Sequence, residues 1–359
     1  MKRYLTTNVL DAARERYAFI FDRFDNIYVS VSGGKDSTVL YHLALEEAIK
    51  RNRKIHLFFL DQEMEYGSTI RLMRGMMEHP NVIPLWYQVP IRMTNATSYT
   101  EELLYAWGPD EEWMREKESH SIHEIEGEYP QRFYPFFEWF EANQPVGSAF
   151  LVGLRADESL NRFRAVTKNP GYEDVCWSTK SSNPASFKFY PLYDWGHGDI
   201  WKYIDDHGVP YNEVYDKMFA KNHSIYSTMR VSNLIHEKSF NCLTELQELE
   251  PDTYERVIKR LGSTHCAALY ARDAMVYNTD QLPDAFPTWR EYRDYLLESS
   301  PIAPERKERF QKRFENQEQD EYTYRQQCRQ ILINDWENNI GVSKKPDVKD
   351  KLEKWRAIL

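Results

Sequence analysis

Apolar residues recur at helical spacing over residues 7–25, where Val9, Leu10, Ala13, Tyr17 and Ile20 share one face, so the spacing predicts a helix. "NIYVSV" (26–31) is instead a continuous β-branched run bounded by turn residues, the pattern of a buried strand. The helical period returns after two glycines. In "STVLYHLALEEAIKR", Val39, Leu40, Leu43, Ala44 and Ala48 line one face. "KIHLFFLD" (54–61) predicts a second strand, and "STIRLMRGMMEH" (68–79) a second helix with Met73, Met76 and Met77 as core filling. "VIPLWYQVP" (82–90) predicts a third strand, and Pro84, which lacks a ladder donor, puts it at a sheet edge. "SAFLVGLR" (148–155) and "FKFYPLYDW" (187–195) read as further strands. "GDIWKYIDDHG" (198–208) reads as a short helix with Asp199 as N-cap and Gly208 just past its end.

Strands alternating with helices predict an α/β fold, a Rossmann-like, doubly wound parallel sheet with helices on both faces. Beyond about residue 216 the pattern is almost wholly helical. The expected organisation is an α/β domain over 1–215, with an insertion at about 92–145, and a helical region over 216–359. There is no internal repeat, and the tail from about Gly341 is lysine-rich.

Composition narrows the class. A length of 359 residues fits two domains or one large domain with insertions, and 42% hydrophobic residues suffice for a core. No apolar run reaches the roughly 18 residues of a membrane span, and "MKRYLTTNVLDAARERY" lacks the apolar segment of a secretory signal. Cys176, Cys242, Cys266 and Cys328 are scattered without a CxxC pair. That predicts a reducing, cytoplasmic setting without a disulfide framework or a thiolate zinc site. The net charge is −10, and acids and bases nearly balance after Tyr215. The excess acid therefore lies earlier, much of it in "DEEWMREKESHSIHEIEGE" (110–128), expected to be a solvated surface insertion. His120 and His123 within it have no third ligand at diagnostic spacing.

The chemistry concentrates in "YVSVSGGKDST" (28–38). A Walker A loop with Gly34-Lys35 as its GK needs glycine where Val29 stands and a hydroxyl where Asp36 stands. A G-x-G-x-x-G loop fails too, since Gly33 and Gly34 are adjacent and no third glycine follows. The physical parts of an anion site remain. A strand ends, two residues without Cβ allow close approach, and a helix is expected from about Ser37, so loop and helix amides can nest a phosphate. Ser32 and Ser37 add hydroxyls and Lys35 a cation. Asp36 opposes phosphate unless a cation lies between them, which predicts Mg²⁺ held by Asp36 and the phosphates.

"SGGKDS" resembles the PP-loop of N-type ATP pyrophosphatases and of the phosphoadenosine phosphosulfate (PAPS) reductase family. "GLRADESLNR" (153–162) resembles the family's G-x-R-x-x-E-S-x-x-R segment. "YPLYDWGHGDIWKYIDDHGVPYNEVYDKMF" (190–219) resembles its P-L-x-D-W block. The resemblance implies the adenine nucleotide alpha hydrolase-like fold, strand order 3-2-1-4-5, with ATP or PAPS across the carboxyl ends of the strands. It implies a nucleotide site of Ser32, Gly33, Gly34, Lys35, Asp36, Ser37 and Gly153, with Arg155 facing the terminal anion and Lys35, Asp36 and Arg155 as catalytic residues. Arg162 and Arg164 follow on the same segment, where guanidinium forks suit phosphate or sulfate. Glu158 is expected to orient an arginine, and Asp61 to lie near the adenosine or to act as a turn carboxylate. Asp194 is expected to cap or to hold Arg155, Trp195 to be structural, and His197 is a weaker general-base candidate.

The reductases of this family use a cysteine in a C-terminal Glu-Cys-Gly-x-His segment, which this chain lacks, as it lacks the paired cysteines of the iron–sulfur branch. "STHCAAL" and "RQQCRQ" place Cys266 and Cys328 in other contexts. The expectation is therefore Mg-dependent ATP cleavage between the α and β phosphates, with AMP passed to an acceptor and no iron–sulfur cluster. The segment "MRVSNLIHEKSFNCLTELQELEPDTYERVIKRLGSTHCAALYA" extends the resemblance to a subfamily of the immunoglobulin-binding regulator A type, often encoded beside a ParB-like protein. That implies two alternatives: a nucleotide-binding regulator acting with a ParB-like partner or DNA, and a reductase using a non-standard cysteine.

Overall fold

The structure is a computed structural model describing residues 6–94, 103–168, 171–221, 229, 231, 233–235, 240–261 and 281–338, with backbone alone for 94, 160, 161, 167, 168 and 240–244. Cys266, the side chain of Cys242 and the lysine-rich tail lie outside the described residues. The chain forms two compact units: Met1–Met93, Tyr105–Leu234 and Glu248–Arg256 in the first, and Thr94–Leu104, Ile235–Gln247 and Val257–Leu359 in the second. No described helix is long and apolar enough to cross a membrane.

The first unit is built on a six-stranded sheet. Its strands are β1 (Asn26–Ser30), β2 (Ile55–Leu60), β3 (Val82–Tyr87), β6 (Ser148–Val152), β7 (Ser178–Lys180) and β8 (Phe187–Phe189), in the order β3-β2-β1-β6-β8-β7. Two further short strands, β4 (Ile91–Thr94) and β5 (Leu103–Ala106), stand outside this sheet. All pairings in the large sheet are parallel except β7 with β8. The expected 3-2-1-4-5 order is thus present, extended by an antiparallel edge strand. Pro84 sits opposite Leu57 in β3, the edge strand of the sheet among the described residues, as a residue without an N–H requires. The strand expected over 187–195 is shorter: it stops at Phe189 and turns at Pro191–Asp194.

Side chains alternate across the sheet, so each face has its own core. Ile27, Val29, Leu57, Phe59, Ala149 and Leu151 pack with Ala13, Tyr17 and Ile20 of α1 (Val9–Arg23), Leu40 and Ala44 of α2 (Lys35–Lys50) and Ile200 and Ile204 of α6 (His197–His207). The interleaved Tyr28, Phe58, Tyr87 and Phe150 form ring contacts on the other face with Phe140 of α4 (Phe133–Ala142), whose Phe136 also meets Tyr87. Each such burial contributes roughly 1.5–3 kcal/mol.

The acid-rich stretch 110–128 lies at the surface as expected, while the insertion that carries it is also fastened to the sheet. α4 covers one face of the sheet, and within 110–128 Met114 is buried, Met114 N donates to Glu63 (2.8 Å) and Ile122 bridges to Tyr87 beside β3. Its acids face outward: Asp110, Glu111, Glu112, Glu116, Glu124, Glu126 and Glu128 are exposed, and Glu118 is half-buried.

α3 (Gly67–Met77) begins without a side-chain bond from its own N-cap. Glu250, about 180 residues on, accepts from Gly67 N (2.7 Å) and Ser68 N (3.0 Å) instead. In the second unit the described helices Trp289–Ser299, Pro304–Glu315 and Glu321–Leu332 bury Leu297, Phe310, Phe314, Ile331 and Trp336 together. Thr288 and Asp320 cap the first and third by accepting from Glu291 N (3.2 Å) and Thr323 N (2.8 Å).

Candidate functional site

β1 ends at Ser30 and α2 starts at Lys35, two residues before the expected point, so Lys35 and Asp36 belong to the helix's first turn. Gly34 precedes α2 and supplies no side-chain cap, and first-turn amides have no intrahelical acceptors. That end of the helix carries partial positive charge. The amide of Lys35 donates to the Tyr215 hydroxyl (3.1 Å). Ser37 Oγ accepts from Ser32 N (3.2 Å), lies 3.3 Å from Ser32 Oγ and donates to Gly34 O (2.9 Å), which ties the two serines across the loop. Gly33 has φ +72°, and a Cβ there would come 2.6 Å from Thr69 Cγ2. Its carbonyl accepts from Asn212 Nδ2 (3.3 Å), which also donates to Thr69 Oγ1 (2.8 Å).

The end of β6 comes against this turn. A Cβ on Gly153 would lie 3.2 Å from Ser37 N and 3.3 Å from the Asp36 carbonyl carbon, so glycine permits the approach. Two residues on, Arg155 is buried, its Nε donating to Asp36 Oδ1. Its Nη1 meets Asp157 (2.8 Å) and its Nη2 lies 3.8 Å from Glu158. Lys35 Nζ lies 3.2 Å from the other oxygen of Asp36. Glu158 also pairs with Arg162 on α5 (Leu160–Lys168), so it orients arginines as expected, while Arg164 is exposed on the same helix. The sequence-predicted Ser32, Gly33, Gly34, Lys35, Asp36, Ser37, Gly153 and Arg155 thus converge, and Arg162 is linked to them through Glu158.

Two expectations change, for Asp194 and Asp199, and a third, for Asp61, resolves to one of its alternatives. Asp194 does not hold Arg155; both its oxygens accept from Arg16 of α1, at 2.7 and 2.6 Å. Asp61 follows β2 and takes the turn-carboxylate role, one of its two expected alternatives, with the carboxylate fully buried and committed. It accepts from Glu63 N, Trp86 Nε1 and Gln88 Nε2, each at 2.9 Å, and from Arg115 Nη2 at 2.5 Å. Asp199 is not an N-cap: α6 starts at His197 and Asp199 accepts from Gly196 N at 2.7 Å.

Magnesium at Asp36 does not fit the carboxylate as it stands. One oxygen faces the Arg155 guanidinium and the other the Lys35 ammonium, so protein cations hold the place expected for the metal. The remaining expectations place readily. Trp195 is buried with its Nε1 donating to Val9 O (3.1 Å), a structural role. His197 starts α6, and its ring lies 6.4 Å from that of Trp201, which in turn meets Tyr215 edge-on. Burial lowers the His197 pKa, Lys35 and Arg155 lower it further, and Asp36 and Asp157 oppose them. His123 bonds the Glu118 carbonyl at 2.8 Å. Cys328 is buried, which pushes its thiol up to about 12, the reverse of an activated nucleophile; Cys176 is exposed.

Tyr215 and Asn212 escaped sequence reading although both lie in the "VPYNEVY" stretch. Their signal was a turn asparagine and a tyrosine whose hydroxyl needs a partner once its ring is buried, but the loop atoms they hold lie about 180 residues away.

A family model described as the phosphoadenosine phosphosulfate reductase domain matches residues 26–269, and a domain of unknown function matches 224–327. The uncharacterised protein YbdN of Escherichia coli is 30% identical over 313 residues, covering 83% of this chain and 76% of that protein. An adenosine 5′-phosphosulfate reductase of Oceanobacillus iheyensis is 32% identical over 85 residues, 24% of this chain and 31% of the reductase. The crystal structure of the Candida glabrata FMN adenylyltransferase in complex with FMN and AMPCPP overlaps 65% of this chain and 66% of its own, at 14% identity and a TM-score of 0.37. At that score the overlap carries no argument.

Proposed function

The chain belongs to the phosphoadenosine phosphosulfate reductase domain family, and from that premise we propose that it is an adenine-nucleotide enzyme acting on ATP. The nucleophile of an acceptor attacks the α-phosphorus, the bond to the bridging oxygen breaks, pyrophosphate leaves and AMP stays on the acceptor. One observation supports this reading above the others: Lys35 and Arg155 meet at Asp36, on the first turn of α2 behind the glycine loop. Loop amides and the two cations offer charge where the departing phosphates gain it, and such preorganised charge supplies most of the rate in nucleotidyl transfer. Asp36 is a positioning residue that holds both cations in place. Magnesium belongs to this reading as the ion that accompanies ATP, and no step is routed through Asp36 as its ligand.

The reading is tested by following AMP and pyrophosphate from ATP, with and without a ParB-like partner or DNA. We expect turnover that falls by about 10²–10³-fold or more in Lys35→Ala and Arg155→Ala. Tight nucleotide binding without turnover in any of these conditions contradicts it and favours a regulator. The name of the Oceanobacillus relative raises sulfonucleotide reduction as the rival chemistry. Against it stands the missing Glu-Cys-Gly-x-His segment, and Cys328 is buried rather than activated. PAPS with reduced thioredoxin is expected to give no sulfite.

A further inference from the structure

The turn at Ser32–Ser37 is gripped from two sides. On the Gly33 side stands α3, whose fully buried Thr69 lies against Gly33 and shares Asn212 Nδ2 with the Gly33 carbonyl. On the Lys35 side stands α7 (Val214–Ala220), whose buried Tyr215 accepts from the Lys35 amide (3.1 Å). Asn212 joins the two grips, since its Oδ1 accepts from Val214 N (3.2 Å) at the start of α7. Neither α3 nor α7 begins with a side-chain bond from its own N-cap residue. The stretch Leu249–Thr253 reaches both helices instead. Glu250 Oε2 accepts from Gly67 N (2.7 Å) and Thr253 Oγ1 (2.7 Å), and its Oε1 accepts from Ser68 N (3.0 Å), just ahead of Thr69. One residue earlier, Leu249 O accepts from Lys217 Nζ of α7 (2.8 Å). Burial by itself raises the pKa of Glu250, yet bonds from Ser68, Thr253 and Gly67 bring it below the ordinary value, which keeps a charge at the positive end of α3. Both oxygens of this buried carboxylate are committed within the protein, so its work is to fix rather than to bind.

We propose that Glu250 is a positioning residue for the phosphate turn: by fixing the start of α3, while Leu249 ties α7, it sets Thr69 against Gly33 and Tyr215 against Lys35 in the form that receives phosphate. Glu250 lies in the stretch 224–327 that matches a domain of unknown function, and this gives that stretch a part in the site. The effect on ATP rests on the proposed function, whereas the fixing of the turn does not.

The test is amide hydrogen exchange of the full chain without nucleotide, followed by titration with ATP. Glu250→Gln keeps the size of the side chain and removes its charge. Exchange is expected to quicken about tenfold both at Gly67–Thr69 and at Ser32–Ser37, and ATP to bind about tenfold more weakly, the scale of one lost helix cap. Asp320→Ala removes a helix cap in the second unit and should leave both readouts unchanged. Faster exchange at Gly67–Thr69 with an unchanged turn overturns the proposal. Equal quickening of the turn in Asp320→Ala overturns it too, because it marks a general loss of stability. If Glu250→Gln does not fold, Thr253→Val removes one bond to the same carboxylate, and an unchanged turn there overturns the proposal. Where the wild type binds ATP, equally tight binding by Glu250→Gln overturns it as well. A wild-type chain that binds no ATP sinks the proposed function, and the exchange at Ser32–Ser37 then decides this proposal by itself.

Discussion

At the ends of β1 and β6, Arg155 meets Asp36 beside a glycine loop; at the ends of β2 and β3, Arg115 meets Asp61 beside the insertion. The residue types are the same and the surroundings are not. The Asp61 side chain is 0% exposed and accepts from an indole, an amide side chain and a backbone amide besides the guanidinium. Such a carboxylate is satisfied by neutral donors, and its work is to fasten 107–122 to the sheet. The Asp36 side chain is 15% exposed and has two cations at the start of a helix. Those cations are held rather than consumed, so an anion arriving at the turn competes for them. An Arg–Asp pair is thus a site or a rivet according to what else reaches the carboxylate.

The difference can be broken experimentally, starting with the largest effect. Asp61→Ala strands Arg115 and leaves three buried donors, Glu63 N, Trp86 Nε1 and Gln88 Nε2, without that partner, and is expected to cost about 3–5 kcal/mol in denaturant unfolding. Nucleotide affinity in the fraction that remains folded should be unchanged; its loss would move Asp61 back into the site. Arg155→Ala is expected to reduce AMP formation by about 10²–10³-fold, the scale of losing one charge-stabilising donor. Gly33→Ala combines a left-handed φ with a collision at Thr69, and is expected to lower stability by about 1–3 kcal/mol and to weaken nucleotide binding with it.

Glu65 reports on the riveted end. Burial first, and then Asp61, pushes its pKa from the ordinary 4.5 up to about 8. The folded state then holds a proton that the unfolded state has released between those values, so this group makes stability fall as pH rises through that window. Below about 4.5 both states are protonated and the contribution is flat. Glu65→Gln should flatten the slope, which is at most about 1.4 kcal/mol per pH unit, in unfolding curves taken from pH 5 to 8. The smallest effect is expected from Asp36→Asn. Freeing Lys35 and Arg155 should tighten ATP binding a fewfold, whereas a metal-ligand role for Asp36 demands weaker binding in the presence of Mg²⁺.

What was legible in the sequence was local. Gly33, Gly34 and Lys35 announce a phosphate turn because backbone approach and charge are written in consecutive residues. Pro84 announces the edge strand because one missing N–H excludes the centre of a sheet. Gly208 closes α6 in the left-handed region, at φ 58°, as its place after "IDDH" implied. The partners of a charge were not legible. Asp194 pairs with Arg16, 178 residues before it, and Glu250 caps a helix more than 180 residues before it. No periodicity records such contacts. The acid-rich stretch 110–128 was legible as surface, but its anchors were not: Met114, Phe136 and Phe140 fix the insertion to the sheet through partners distant in sequence.

The central claim is that the turn at Ser32–Ser37 seats the phosphates of an adenine nucleotide, with its terminal group at Arg155. A crystal structure of the chain with a non-hydrolysable ATP analogue tests it most directly. The account predicts phosphate oxygens on the first-turn amides of α2 and on Lys35, with Arg155 sharing its guanidinium between Asp36 and the γ-phosphate. A nucleotide bound elsewhere, with the turn empty and Arg155 still closed on Asp36, would contradict it.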